Sequence, residues 1–255
     1  MELRVLGCHG GETPRHRTTA FLVDERLTID AGALTSQLEL SDQGRIEVVL
    51  VSHAHLDHVR DLATIADNRA QMGCAPLTIA ATKTTIRELR THFFNDRLWP
   101  NFAVIPDADA PTIQYQEIPL EKPTKVLDYT VTAVPVHHTV ESAGFVLEDA
   151  SGSIGFSGDT GPTDRLWEVL NEVKNLKALL MEVSFPDEQQ ALATASGHHT
   201  PQTLIADLAK FDRRQDVATM LYHIKPPFQA EVEKQCAKLD DVHLEILKLG
   251  DQFVL

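Results

Sequence analysis

Short apolar runs separated by glycine-rich or polar breaks recur along the chain and predict a series of β-strands. In the first half they span residues 3–6, 19–23, 27–30, 47–52 and 77–81. In the second half they span residues 129–136, 144–147, 154–156, 178–182, 218–222 and 244–249. Polar or glycine-containing breaks between neighbouring runs, such as Asp24-Glu25 and Ser151-Gly152, are typical of hairpin turns. Residues 47–52 and 178–182 are apolar enough to indicate buried strands.

Between these strands, apolar residues at helical spacing predict helices. The expected helices cover residues 58–70, a segment from Thr82 or Thr84 to about 93, and residues 163–174, 201–210 and 227–238. The Thr200-Pro201 pair indicates a helix start, because threonine caps the first turn and proline is tolerated at its first position. Prolines interrupt residues 94–125, which predicts a less regular segment.

Two β-rich halves, each ending in helices, favour an α/β fold in which two sheets pack between two helical layers. We therefore expect a four-layer αββα sandwich. No repeat or flexible linker divides the sequence, so residues 1–255 are predicted to form one domain with a pseudo-boundary near residue 125.

The composition is that of a folded, acidic protein with an excess of histidine. The 255 residues include 37 Asp and Glu against 23 Lys and Arg, a formal net charge of −14, and 12 histidines. The hydrophobic fraction of 43% and the charged fraction of 24% exclude a disordered tail, a collagen-like fibre and a coiled coil. The acidity argues against a long nucleic-acid partner, because neutralising many phosphates requires a basic surface.

The sequence also bears on location. The N-terminal residues lack a basic segment followed by an apolar stretch, so no signal peptide is expected, and no apolar run approaches the length of a membrane span. Three scattered cysteines, Cys8, Cys74 and Cys236, fit a reducing compartment. These features predict a cytoplasmic protein without a membrane partner.

Histidines concentrate in the segment Ser52-His53-Ala54-His55-Leu56-Asp57-His58, directly after a predicted buried strand. Side chains two residues apart on an extended chain share a face, so His53 and His55 point the same way. Three imidazoles and a carboxylate supply the nitrogen and oxygen ligands that suit zinc, iron or manganese. The pattern predicts a metal site at the end of this strand.

The His-x-His-x-Asp-His motif resembles the signature of the metallo-β-lactamase fold superfamily, whose two-metal site draws ligands from loops along the whole chain. The resemblance implies one later histidine, a bridging aspartate and a last histidine toward the C-terminus. His138 in the pair His137-His138, Asp159 in Ser-Gly-Asp and His223 in Leu-Tyr-His-Ile-Lys fit these places, each after a predicted strand.

Carried over to this sequence, the resemblance assigns one metal to His53, His55 and His138, and the other to Asp57, His58 and His223. Asp159 would bridge the two ions. His137 remains an alternative to His138, because adjacent strand residues face opposite sides. Asp30, in Ile-Asp-Ala-Gly, would either orient a ligand histidine through its other ring nitrogen or serve only as a turn residue.

Asp57 among the ligands fits the phosphodiesterase branch of the superfamily, which includes tRNA 3′-processing endonucleases. Glu182, followed by Gly197-His198-His199-Thr200, resembles the Glu…Gly-His-x-Thr arrangement of that branch, in which the histidine serves the leaving group. The resemblance therefore implies that His198, Glu182 and Asp57 are catalytic residues. The alternative for this segment is a helix cap at Thr200 beside two solvent-facing histidines.

Two features argue against tRNA as the substrate. Only 20 residues separate His138 from Asp159, which leaves no room for a tRNA-clamping arm, and the net charge is −14. By contrast, residues 93–101, Phe-Phe-Asn-Asp-Arg-Leu-Trp-Pro-Asn, resemble the Phe-Asn-Asp-x-x-Trp-Pro segment of class II cyclic-nucleotide phosphodiesterases. Aromatic residues of this segment would either stack on a nucleobase or pack in the core.

The resemblance implies a phosphodiesterase that opens 3′,5′-cyclic AMP or GMP to the 5′-monophosphate. Two divalent ions, zinc first and manganese or iron as alternatives, would activate the attacking water. His198, held by Glu182, would protonate the leaving oxygen or stabilise phosphoryl charge, and Lys225 would add positive charge or lie on the surface. The alternatives are a tRNA-processing-like or oligonucleotide phosphodiesterase and a non-hydrolytic di-iron sensor. Family analogy also implies a homodimer.

Overall fold

A computed structural model of the protein describes residues 1–240 and 242–255. Its strands are β1 (Glu2–Gly7), β2 (Ala20–Val23), β3 (Leu27–Ile29), β4 (Val48–Val51), β5 (Leu77–Ala81), β6 (Pro106–Asp107), β7 (Ala110–Pro111), β8 (Ile113–Glu117), β9 (Thr124–Val126), β10 (Tyr129–Val136), β11 (Ser142–Glu148), β12 (Ser153–Phe156), β13 (Leu176–Glu182), β14 (Ala218–Tyr222), β15 (Leu244–Ile246) and β16 (Gln252–Val254). Its α-helices are α1 (Leu40–Arg45), α2 (Leu56–Val59), α3 (Asp61–Met72), α4 (Lys83–Glu88), α5 (Arg165–Glu172), α6 (Gln190–Ser196), α7 (Pro201–Leu208) and α8 (Gln229–Cys236).

The strands form two seven-stranded mixed sheets and a short ribbon of β6 and β7. The first sheet has the order β16-β1-β2-β3-β4-β5-β8, and the second has the order β15-β14-β13-β12-β11-β10-β9. In the first sheet β3, β4, β5 and β8 run parallel, with Ile29 opposite Leu50. In the second sheet β12 to β15 run parallel, with Phe156 opposite Leu180. The sheets divide between residues 117 and 124, and the C-terminal β16 returns to pair with β1.

The main core lies between the two sheets. Phe21 of the first sheet packs edge-on against Phe156 and Tyr222 of the second, with ring centroids 6.0 and 5.4 Å apart. A second apolar cluster joins α3 to the outer face of the first sheet, through Leu62 and neighbouring residues. A third joins α5, α7 and α8 to the outer face of the second sheet. Helix, sheet, sheet and helix thus form successive layers, and the predicted αββα sandwich is confirmed.

The predicted helices need several corrections. The segment 58–70 is two helices, α2 and α3, which meet at Arg60 and extend to residue 72. Thr82, not Thr84, caps α4 by accepting a hydrogen bond from the Thr85 amide, and α4 ends at Glu88 in a π-helical turn, Leu89–Phe93. The helices predicted at 163–174 and 227–238 are two residues shorter at each end, and a 3-10 turn, Pro226–Phe228, precedes α8.

Several short elements were missing from the prediction. The segment 94–125 contains β8, an edge strand whose burial is largely confined to Ile113 and so lacks a clear alternation of apolar and polar residues. The predicted final strand 244–249 stops at Ile246, and β16 follows separately. Helices α1 and α6 are mostly polar or small, which explains why spacing did not reveal them. None of the helices in the described residues is long and apolar enough to cross a membrane.

Candidate metal centre and its surroundings

The topology brings the predicted site residues to one edge of the sandwich. In the second sheet β10, β12, β13 and β14 point the same way, and His138, Asp159, Glu182 and His223 lie at or just beyond their carboxyl ends. In the first sheet His53 follows the carboxyl end of β4. Carboxyl ends of strands with one direction meet at a common edge, so residues far apart in sequence converge there.

The first group of candidate ligands contains His53, His55 and His138, whose ligand atoms lie within 4.8 Å of one another. Nε2 of His138 is 3.2 Å from Nδ1 of His55. The other nitrogen of His138, Nδ1, is 2.9 Å from the carbonyl oxygen of Gly197, which fixes its Nδ1–H tautomer and leaves Nε2 free for a ligand. His137 has an exposed side chain and belongs to none of the groups, so the geometry favours His138.

The second group contains Asp57, His58, Asp159 and His223. Oδ2 of Asp159 lies 3.2 Å from Nε2 of both His58 and His223, and the two Nε2 atoms are 3.3 Å apart. Oδ2 of Asp57 lies 3.4 Å from Nε2 of His223. One carboxylate oxygen therefore faces two imidazole nitrogens that are aimed at the same point.

Asp159 also lies next to the first group. Its Oδ2 is 3.8 Å from Nε2 of His53, and both side chains are buried. Nε2 of His53 and Oδ1 of Asp159 have no hydrogen-bond partner among the described residues. Buried polar atoms without a partner are costly, and bound cations would satisfy both. The nitrogen and oxygen donors therefore fit two divalent ions with Asp159 between them.

Asp30 holds two of the candidate ligand histidines in place. Its Oδ2 accepts a hydrogen bond from Nδ1 of His58 at 2.7 Å and another from the Ser52 hydroxyl at 2.8 Å. Its Oδ1 accepts from the Ser52 amide at 2.8 Å, and the Ser52 hydroxyl lies 3.0 Å from Nδ1 of His53. The geometry matches the orienting role predicted for Asp30, because Nδ1, the ring nitrogen that faces away from the site, is held directly in His58 and through Ser52 in His53.

Glycine makes one close approach at the site possible. A Cβ atom at Gly32 would lie 2.1 Å from the backbone oxygen of Asp57, so only glycine leaves room for the segment that carries Asp57. Two residues before Gly32, Asp30 adopts the left-handed backbone region, with a φ of 58°. His223 has a positive φ of 71°. Such angles in residues other than glycine persist only where surrounding contacts hold them.

Glu182, Ser184 and His198 form a hydrogen-bonded network beside the two groups. Oε1 of Glu182 lies 3.1 Å from Nδ1 of His198. The Ser184 hydroxyl donates to Oε2 of Glu182 at 2.9 Å and lies 2.9 Å from Nδ1 of His223. Sequence reasoning missed Ser184, although its position two residues after Glu182 on an extended chain places it on the same face. The helix-cap alternative for His198 is wrong in one respect, because this histidine is buried rather than solvent-facing.

The charges of Glu182 and His198 reinforce each other. Burial of the imidazole favours its neutral form, but the adjacent carboxylate and the hydrogen bond outweigh burial and raise the pKa of His198. Burial likewise disfavours the ionised form of Glu182, and the charge of His198 outweighs it and lowers the pKa of Glu182. The two shifts favour the imidazolium form of His198 beside an ionised Glu182, the form in which Nε2 of His198 carries a proton.

Positive charge and an apolar cavity lie on either side of the ligand groups. Nζ of Lys225 is 3.9 Å from Oδ2 of Asp57, which places this lysine at the site rather than on a remote surface. A cavity of about 380 Å³ adjoins His55 and includes Phe93 in its wall. Phe94 and Phe102 pack in the core, as the second interpretation of the aromatic segment proposed. Trp99 is partly exposed and donates its indole N–H to the Ala63 carbonyl.

An αββα sandwich with histidine and aspartate groups at its strand ends has the architecture of the metallo-β-lactamase fold class. The family described as beta-lactamase superfamily domain matches residues 25–224, and the chain belongs to that family. The predicted superfamily is thereby confirmed. The family and the ligand groups together establish a site for divalent metal ions.

The curated relatives that the chain resembles are described as phosphodiesterases. A probable 3′,5′-cyclic-nucleotide phosphodiesterase of Yersinia pestis is 29% identical over 78% of this chain, which spans 62% of that relative. A 3′,5′-cyclic-nucleotide phosphodiesterase of Aliivibrio fischeri is 25% identical over 95% of this chain and 88% of its own length. The zinc phosphodiesterase ELAC protein 2 homolog of Caenorhabditis elegans is 29% identical over 61% of this chain, but over only 22% of its own length.

Solved structures support the fold. Unliganded yeast PDE1 superposes with a TM-score of 0.85 at 19% identity, over 100% of this chain and 99% of its own. YhfI of Bacillus subtilis, a metallo-beta-lactamase fold protein, gives 0.77 at 18% identity, over 99% of this chain and 98% of its own. The short form of human tRNase Z gives 0.71 at 17% identity, over 100% and 99%. At these identities the likeness concerns the fold.

Proposed function

We propose that the protein is a dinuclear metal-dependent phosphodiesterase that hydrolyses 3′,5′-cyclic AMP or GMP to the 5′-monophosphate. The observation that carries the proposal is the position of Asp159 between two histidine-rich groups, with the Glu182–His198 pair beside them. The Yersinia, Aliivibrio and fission yeast relatives, all described as cyclic-nucleotide phosphodiesterases, support the substrate class.

In this proposal the ligands divide as the two groups do. His53, His55 and His138 would hold one ion, Asp57, His58 and His223 would hold the other, and Asp159 would contribute to both. We favour zinc because imidazoles outnumber carboxylates among these ligands, with manganese or iron as alternatives. When bound, such a pair of ions supplies a water that ionises near neutral pH and polarises phosphoryl oxygens.

The chain's own residues complete the chemistry. Breaking the bond between phosphorus and the 3′ oxygen leaves an alkoxide that needs a proton. His198 holds that proton at Nε2, because its Nδ1 is engaged by Glu182. Glu182 keeps the imidazole oriented and protonated, and Lys225 adds positive charge on the Asp57 side of the phosphate. In this proposal Asp57 is both a metal ligand and, with His198 and Glu182, one of the catalytic residues.

The structure argues against both alternative functions, tRNA processing and a di-iron sensor. Between His138 and Asp159 the chain forms only the β11–β12 hairpin, so it has no inserted arm to clamp tRNA at that place. A di-iron sensor would have no use for a proton donor beside its metals, whereas Glu182 and His198 form one here. Both observations support hydrolysis of a small phosphodiester.

The proposal is tested by metal analysis combined with assays of cyclic AMP and cyclic GMP, with and without a chelator. We expect about two equivalents of divalent metal, and hydrolysis that a chelator abolishes and added metal restores. Asp159→Ala and His58→Ala should abolish activity and reduce metal content. His243 is exposed and belongs to neither ligand group, so His243→Ala should change neither activity nor metal content. Full activity of Asp159→Ala would refute the two-metal assignment.

His198→Ala separates catalysis from metal binding. We expect turnover to fall about 10²–10⁴-fold with metal content unchanged, the range that general acid catalysis contributes. Loss of metal from this variant would instead make His198 a ligand and contradict its assigned role. Cytoplasmic location and homodimerisation stay predictions, which cell fractionation and sedimentation equilibrium would check.

A further inference from the structure

The cavity beside the first ligand group has the position and size for the part of a substrate that lies beyond the phosphate. It measures about 380 Å³, within the range of small-molecule sites, and His55 belongs both to its wall and to the first ligand group. A molecule whose phosphate lies on cations held by the ligand groups would therefore extend past His55 into this cavity.

The walls suit a flat, neutral ring. Most of the wall is apolar and consists of Ala54, Leu56, Val59, Leu89, Phe93, Leu98 and Val140. Leu98 and Val140 are large side chains left 59% and 42% exposed, which is a common mark of an apolar ligand site. A nucleobase is a flat ring with apolar faces and a polar edge, so its faces match these walls.

The polar rim of the cavity is acidic. It carries the carboxylates of Glu88 and Glu141, and no lysine or arginine is among the described residues that line it. Glu88 is already engaged, because Nη2 of Arg87 lies 3.0 Å and Nε2 of His92 lies 3.4 Å from its oxygens. Glu141 contacts neutral donors instead, which leaves it as the acceptor available to a ligand.

Two threonines hold the Glu141 carboxylate in a fixed orientation. The Thr82 hydroxyl donates to Oε1 at 2.7 Å, and the Thr84 hydroxyl donates to Oε2 at 3.0 Å. Each carboxylate oxygen accepts more than one hydrogen bond, so both oxygens keep capacity for a ligand. A fixed pair of acceptors fits a ligand edge that presents two adjacent donors.

We propose that this cavity holds the nucleobase and that Glu141 makes the enzyme prefer cyclic GMP over cyclic AMP. The inference rests on the proposed function. Guanine presents its N1–H and its 2-amino group side by side, so both can donate to the two oxygens of Glu141. Adenine presents an amino group beside the N1 lone pair, which would face a carboxylate oxygen and repel it. Hypoxanthine keeps N1–H but lacks the 2-amino group.

The test compares kcat/KM for cyclic GMP, cyclic AMP and cyclic IMP on the metal-loaded protein. We expect cyclic GMP to exceed each of the others by about tenfold, since a hydrogen bond to a charged group at a partly exposed rim lies at the lower end of its range. Equal or higher efficiency with cyclic AMP would overturn the inference while leaving the phosphodiesterase intact. Failure to hydrolyse any of the three would overturn the proposed function instead.

Glu141→Gln should change the nucleotide preference of the enzyme and not only reduce its activity. Glutamine offers one acceptor and one donor, which match the amino group and N1 of adenine. The variant should therefore lower kcat/KM for cyclic GMP about tenfold and raise the relative efficiency for cyclic AMP. Glu148→Gln, an exposed glutamate at the far end of β11, is the matched control and should leave the ratio unchanged.

A second variant keeps the inference testable if Glu141→Gln folds poorly. Thr84→Val removes the donor that fixes Oε2 of Glu141 and should lower the ratio of kcat/KM for cyclic GMP to kcat/KM for cyclic AMP. An unchanged nucleotide ratio in both variants, with normal metal content, would show that Glu141 does not contact the base.

Discussion

Replacing Glu182 by glutamine removes one negative charge from the centre of the site and keeps the shape of the side chain. Oε1 of Glu182 accepts hydrogen bonds from Nδ1 of His198 and from the amides of Thr160 and His199, at 3.1, 3.2 and 3.2 Å. A glutamine oxygen at that position keeps all three. Its amide nitrogen then faces the Ser184 hydroxyl, which can turn to accept, so we expect the variant to fold and to bind metal.

The magnitude follows from the change in one hydrogen bond. In the wild-type protein the carboxylate overcomes the effect of burial and raises the pKa of His198. Exchanging a charge-assisted hydrogen bond for a neutral one costs about 1–2 kcal/mol, or about tenfold in the protonated population of His198. A histidine with a raised pKa loses its proton only as the pH passes that pKa, so in the variant the loss begins at lower pH.

The assay is kcat against pH for the metal-loaded proteins, from pH 5.5 to 9. Glu182→Gln should move the alkaline limb to lower pH and reduce kcat about tenfold at pH 8, with a smaller deficit at pH 6. Glu172→Gln, an exposed glutamate at the end of α5, is the control and should leave the profile in place. A loss of equal size at every pH, or an unmoved alkaline limb, would refute protonation by His198.

Three further predictions concern the support of the site and the core. Asp30→Asn should weaken metal affinity about 10- to 100-fold by competition with a chromophoric chelator, because an amide cannot accept from both His58 and Ser52 as the carboxylate does. Removing metal with a chelator should lower the midpoint of thermal unfolding in calorimetry, since it leaves the buried polar atoms His53 Nε2 and Asp159 Oδ1 without partners. Phe145→Ala, which opens a cavity between the sheets, should lower the free energy of unfolding in urea by about 3–5 kcal/mol with an unchanged m-value.

The candidate ligand residues could be found from the sequence because they follow strands that the sequence reveals. Val48 to Val51 is an apolar run with a sharp end, and the His-x-His-x-Asp-His motif begins two residues later. His138, Asp159 and His223 likewise come just after apolar runs. Family resemblance assigned these positions, and parallel strand direction explains why they meet at one edge.

The surroundings of the site were harder to predict because they depend on contacts between distant segments. Ser184 lies at the centre of the network, but its role requires Glu182, His198 and His223 to be close in space. Glu141 faces the cavity only because β5 ends next to the loop that follows β10, which lets Thr82 reach it across 59 positions of sequence. Hydrophobic periodicity carries no information on such pairs.

The division of ligands between the sheets explains why metal binding and stability should be coupled. His53, His55, Asp57 and His58 follow a strand of the first sheet, whereas His138, Asp159 and His223 follow strands of the second. In the proposed assignment each ion would therefore join the edges of both sheets, and Asp159 would lie between the two ions. The positive φ angles of Asp30 and His223 cost about 1–3 kcal/mol each, which the contacts of an occupied site help to offset. Loss of metal should consequently loosen this edge of the sandwich first, while the phenylalanine core between the sheets keeps the remainder folded.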